Sequence, residues 1–126
     1  MKVGISSYSL LKDLTNGSLT ILDVVQWVAE NGGTHLELVP YGFSVVDNIE
    51  LADAIREKAL DAGIELSAYS LPANFIQETE QAFLEEVDRL KKHVDVVNRM
   101  GIKIMRHDVT SFRLEKEEMT IHYFEE

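Results

Sequence analysis

Trp27-Val28-Ala29-Glu30-Asn31-Gly32-Gly33-Thr34-His35-Leu36-Glu37-Leu38 joins an amphipathic run to a β-type run across a pair of glycines. The same grammar returns in Ala59-Leu60-Asp61-Ala62-Gly63-Ile64-Glu65-Leu66-Ser67-Ala68 and in Val97-Asn98-Arg99-Met100-Gly101-Ile102-Lys103-Ile104-Met105-Arg106. A glycine just past a helix end takes the left-handed backbone that lets the chain turn into a strand, so Gly32, Gly63 and Gly101 are expected to close three helices.

The helices on the N-terminal side of those glycines follow from periodicity. Phe83, Val87, Leu90, Val94 and Val97 recur at steps of four and three with Glu85, Glu86, Lys91 and Lys92 between them, which predicts one buried stripe. An earlier helix starts near Thr20, with Asp23 placed to complete a capping box, and buries residues among Ile21, Val24, Val25 and Val28. The helix between them starts from Asp47 or Asn48 and buries Leu51, Ile55 and Ala59. The strands are expected at 2–6, 35–39, 65–71 and 103–109.

Strand and helix in strict alternation predict parallel strands joined by right-handed crossovers. The segments after the strands, 8–18, 40–47, 72–79 and 110–119, are longer than those after the helices, and in parallel α/β architectures that edge binds ligands. A further helix is expected to begin at Thr120, with Ile121 and Phe124 starting its apolar face. Six or so residues are too few for an independent helix, so the natural protein is expected to be longer.

Composition narrows the function classes. The 126 residues are 45% hydrophobic and 27% charged, ordinary for one soluble domain. No run approaches the roughly 20 apolar residues of a membrane span and the N-terminus has no signal-peptide core, so a cytoplasmic protein is expected. Twenty-two acidic against twelve basic residues give a charge of −10, which repels a phosphate backbone and makes nucleic acid an unexpected partner. The absence of cysteine removes disulfides, thiolate metal sites and cysteine nucleophiles.

Polar residues at strand tips are the candidate site. Glu37 interrupts an apolar strand, and a buried carboxylate must be satisfied, either by substrate hydroxyls or by an ion pair with a cation such as Arg106. Arg106, His107 and Asp108 follow one another at the tip of the fourth strand. Period-two geometry sends Arg106 and Asp108 to one face and His107 to the other, so the set is either a binding cluster for phosphate or sugar oxygens or a salt-bridge knot capping the strand. Tyr8, Tyr41 and Tyr69 at or near strand ends suit sugar binding and equally suit a barrel rim. Ser6, Ser7 and Ser70 show no base partner and are expected to bond backbone. His35 is expected to be structural, His93 and His122 to lie on helix surfaces, and Trp27 to lie in the core.

The opening Val3-Gly4-Ile5-Ser6-Ser7-Tyr8-Ser9, the second strand Gly32 to Val39, the fourth strand Met105-Arg106-His107-Asp108-Val109 and the segment Thr120 to Glu126 resemble, in order and spacing, the sugar phosphate isomerase/epimerases of the xylose-isomerase-like barrel superfamily. The resemblance spans the whole chain and implies a single domain, residues 1–126, forming the N-terminal half of a (β/α)8 TIM barrel: four parallel strands, three crossover helices and the start of a fourth. It implies a metal-dependent enzyme that moves a proton next to a carbonyl of a sugar or sugar phosphate, with a divalent ion, Mg, Mn, Zn or Co, held by residues of later strands. No residue of this chain matches a metal ligand of the family, so no metal is expected on these 126 residues and the chain alone is expected to be inactive. Substrate binding is assigned to Glu37, Arg106, His107, Asp108, Tyr8 and Tyr69. Two other readings remain: a self-associating half-barrel without catalysis, and a metal-dependent nuclease of the abasic-site type. Two open edges and an apolar inner face predict a homo-oligomer.

Overall fold

Local signals set the helices where the sequence places them. In the computed structural model, which describes residues 1–110, Thr20 and Asp23 exchange hydrogen bonds as a complete capping box at the head of a helix over Ile21–Glu30, α2. Asn48 accepts from the Leu51 N–H to start α3, Ile49–Ala62, and Thr79 accepts from the Ala82 N–H to start α4, Glu80–Arg99. Gly32, Gly63 and Gly101 all carry positive φ, 77°, 69° and 74°, and turn each helix toward the next strand.

One helix was not legible. The segment after the first strand, expected as a loop over 8–18, is a 3-10 turn over Ser7–Leu10 followed by α1, Leu11–Asn16. Leu10, Leu11 and Leu14 lie on one face of this short piece, and Leu14 is buried in the core. The helix expected from Thr120 lies outside the described residues.

The four strands are β1, Gly4–Ser6, β2, His35–Leu38, β3, Glu65–Leu71, and β4, Met105–His107. They form one parallel sheet in the order β1-β2-β3-β4. Each crossover therefore moves one strand in the same direction, and consecutive helices pack on one another over one face of the sheet. Leu36, Leu38, Tyr69 and Leu71 point into that layer and are almost fully buried against Val24, Val25, Val28, Ile55 and Leu90. This is an α/β fold with helices between four parallel strands.

The opposite face departs from expectation. It carries Gly4, Ser6, His35, Glu37, Ala68, Ser70 and Arg106 by register, so it is polar or small-residue rather than apolar. The His35 ring lies over Gly4, where any Cβ would collide with it.

A β-bulge decides which residues of β3 reach that face. Leu36 pairs with Leu66 but Glu37 pairs with Ala68, leaving Ser67 as the extra residue. The shift reverses the alternation, so Ser70 joins Glu37 while Tyr69 turns into the helix layer.

Two packing expectations are corrected. Trp27 is 42% exposed, because Ile21, Val24, Val25 and Val28 already fill the contact between α2 and the sheet. On α4, Leu90 and Val97 are buried as expected, but Phe83 and Val94 are exposed and Val96 and Met100 are buried instead. The buried stripe is turned toward α3, since no described element packs on the other flank of α4.

Candidate functional site

Every strand delivers a residue to one hollow at the C-terminal edge of the sheet. Ser6 comes from β1, Glu37 from β2, Ser70 from β3 and Arg106 from β4, with Asp108 just beyond, around a cavity of about 330 Å³. Tyr8 and Tyr41 form its outer wall as an edge-on pair with ring centroids 5.8 Å apart. Gly42 holds the Tyr41 turn in place at φ 79°, close against the Leu14 carbonyl, where a Cβ would have no room.

Glu37 is the centre of the polar network. The Ser70 hydroxyl, 2% exposed as a residue, donates to Glu37 Oε1 at 2.6 Å. That bond, then a second from Ser6, then the positive charge of Arg106, hold the Glu37 carboxyl below its ordinary range against the opposing effect of burial. Glu37 is thus kept ionised and aimed at the cavity. Arg106 is held more loosely: its Nε lies 3.5 Å from Ser70 Oγ and its Nη1 lies 3.5 Å from Asp108 Oδ1. The neighbour expected for Glu37, Arg106, is present, but the carboxylate is satisfied first by serine.

Of the site residues expected from sequence, Glu37, Arg106, Asp108, Tyr8 and Tyr41 line this cavity. Tyr69 and His107 do not. Tyr69 is fully buried on the helix side of the sheet, its hydroxyl 2.9 Å from His93 Nδ1, and burial pushes its phenol upward. His93, expected on the surface, is consequently half-buried and its pKa is lowered, by burial first and then by the nearby Arg89 charge. His107 takes the opposite face from Arg106, as alternation requires; its ring meets Phe75 edge-on at 5.6 Å and its Nδ1 lies 2.8 Å from the Asp108 carbonyl oxygen.

The serines divide. Ser7 behaves as expected, bonding the Val39 backbone in both directions at 3.2 and 2.8 Å. Ser6 also bonds backbone as expected, accepting from the Tyr8 N–H at 3.3 Å, and in addition helps to lower the Glu37 pKa, whereas Ser70 serves Glu37 instead. Only a signal for the Ser67 bulge would have pointed to Ser70.

The arrangement offers hydrogen-bonding groups of both kinds beside aromatic faces. A carboxylate accepts, a guanidinium donates, and tyrosine faces pack against C–H surface. Among the described residues no three His, Asp or Glu side chains converge to hold a metal ion, and the cavity already contains a guanidinium between its carboxylates. The described residues of this cavity do not fit a divalent cation. A second hollow of about 470 Å³ at the N-terminal ends of β3 and β4 is lined largely by apolar groups such as Leu60, Ile64, Leu66 and Ile104 and lacks such a network.

No known family model matches the chain, and no curated protein matches it. No described helix is long and apolar enough to cross a membrane.

Proposed function

We propose that this chain is the substrate-binding half of a (β/α)8 barrel, part of a cytoplasmic isomerase or epimerase acting on a sugar or sugar phosphate. The observation that carries the reading is the convergence of Ser6, Glu37, Ser70 and Arg106, one from each of four consecutive parallel strands, on a single cavity at the strand C-terminal edge. Sequential strand order supports a barrel over a doubly wound sheet, whose order reverses at its ligand crevice.

In this reading Glu37 accepts sugar hydroxyls, Arg106 donates to sugar oxygens, and Tyr8 and Tyr41 cover one face of the ligand. The chemical step takes a proton from the carbon beside the carbonyl and returns it to the neighbouring carbon or to the opposite face. The groups that move this proton, and the ligands of the divalent ion that such chemistry uses, belong outside residues 1–110.

The test is a 1H–15N NMR titration of the 126-residue chain with common ketoses, aldoses, their phosphates and an abasic oligonucleotide. Sugar-dependent shifts centred on Ser6, Glu37, Ser70 and Arg106 are expected, with weaker binding in Glu37→Gln. Shifts with the oligonucleotide alone would overturn the reading in favour of a nuclease, and no shift with any sugar would remove it.

A further inference from the structure

The cavity's charge separates two ligand classes that its shape does not. Among the described residues its walls hold two carboxylates, Glu37 and Asp108, against one guanidinium, Arg106, a net formal charge of −1. The chain around it carries −10, so the surrounding field has the same sign.

Among the described residues, Arg106 is the one charged group there that could attract an anion, and its setting argues against that use. Arg99 closes on Asp53 through two bonds of 2.8 and 2.7 Å, and Arg89 on Glu86 through two of 2.8 and 2.9 Å, as a guanidinium does when it faces a full charge. Arg106 instead stands at 3.5 Å both from the Ser70 hydroxyl already bound to Glu37 and from Asp108. Its donors are available, but its charge is balanced by the two carboxylates beside it. A phosphate ester, bearing about −1.5 to −2 near neutral pH, would meet those carboxylates at the same time as Arg106. Neutral hydroxyls face no such conflict: each can donate to a carboxylate and accept from the guanidinium.

We propose that the cavity takes a neutral, hydroxyl-rich ligand in preference to its phosphate ester. The proposal rests on the sugar-binding reading above and decides between the two ligand classes that reading admits. Glu37, fixed by Ser70, and Asp108 are its specificity-determining residues.

The experiment compares D-fructose with D-fructose 6-phosphate, and D-xylulose with its 5-phosphate, in NMR titrations of the 126-residue chain at low and moderate salt. The neutral sugar of each pair is expected to bind about tenfold more tightly at low salt, the size that one net repelling charge gives at about 3 Å in a cavity open to water. Added salt should narrow the gap by helping the ester alone. Asp108→Asn and Glu37→Gln each remove one negative charge, and in either variant the ester should gain relative to the neutral sugar. An ester that binds as tightly as the sugar or more so, or a gap unmoved by salt and by both variants, overturns this proposal while leaving sugar binding intact. Absence of shifts with either member of both pairs removes sugar binding itself, and the preference with it.

Discussion

A nearly buried hydroxyl can organise a site. Ser70 is almost fully buried, and its short bond to Glu37 is the first reason that carboxyl stays ionised. Ser70→Ala is therefore expected to raise the Glu37 pKa toward its ordinary 4.5, read from the side-chain carboxyl 13C shift across a pH titration, and to cost about 1 to 2 kcal/mol in urea unfolding. A Glu37 titration unchanged by the substitution would show that Ser70 merely fills space. Glu37 was legible in the sequence because a carboxylate inside Leu36-Glu37-Leu38 must be satisfied by something, and Arg106 with Asp108 because alternation puts them on one face. Ser70 and Tyr69 were not. Which of them reaches the cavity depends on the one-residue bulge at Ser67, a property of how two strands 30 residues apart register, and no local pattern in Glu65–Leu71 carries it.

Among the elements, α4 ties down the loop that follows β3. Glu86 accepts the Asn74 N–H and both forks of Arg89, and Arg89 also donates to the Pro72 carbonyl at 2.7 Å. The Arg89 contact, with the Asn74 N–H, holds the Glu86 carboxyl at about 2 against an ordinary 4.5. A carboxyl depressed on folding stabilises fully above its unfolded value and loses that stabilisation as pH falls toward its folded one, so this clamp weakens between about pH 4.5 and 2, by on the order of 2 kcal/mol after allowing for the partly exposed Arg89. His93 acts in a separate window. Its pKa is lowered from 6.5 on folding, so the unfolded chain binds the extra proton first and stability falls as pH drops below about 6.5. Thermal unfolding should show two steps of declining Tm; Glu86→Gln should flatten the acid step and His93→Gln the one below neutrality. A single step that neither substitution alters would contradict both assignments. The elements themselves were legible where a cap or a closing glycine was read, at Thr20, Asn48, Gly32, Gly63 and Gly101, but the closing Gly17 of the helix Leu11–Asn16 was passed over. That helix was not legible at its start, since Leu10 at its head makes no side-chain capping bond and so left no start signal. The α4 stripe was read with the right period and the wrong centre, because its orientation depends on which neighbours it has.

For the molecule as a whole, sequential parallel order leaves β1 and β4 each with one partner strand among the described residues, and so with one edge of backbone groups open. An apolar inner face is not what makes such a sheet sticky here, since that face carries Glu37, Ser70 and Arg106. Exposed apolar side chains do lie on the β4 side, where Val94, Ile104 and Val109 are each more than half exposed. We expect the chain to self-associate through this side at micromolar concentrations, with light scattering giving a mass that is a multiple of 14.3 kDa. The charge of −10 on each copy opposes association, so salt should favour the oligomer by screening that repulsion. Ile104→Lys and Val109→Lys place a charge at the edge itself and should shift the equilibrium toward monomer without changing the far-ultraviolet spectrum of the folded chain. A compact 14.3 kDa monomer at all salt concentrations would mean that the β4 side is covered within the chain itself.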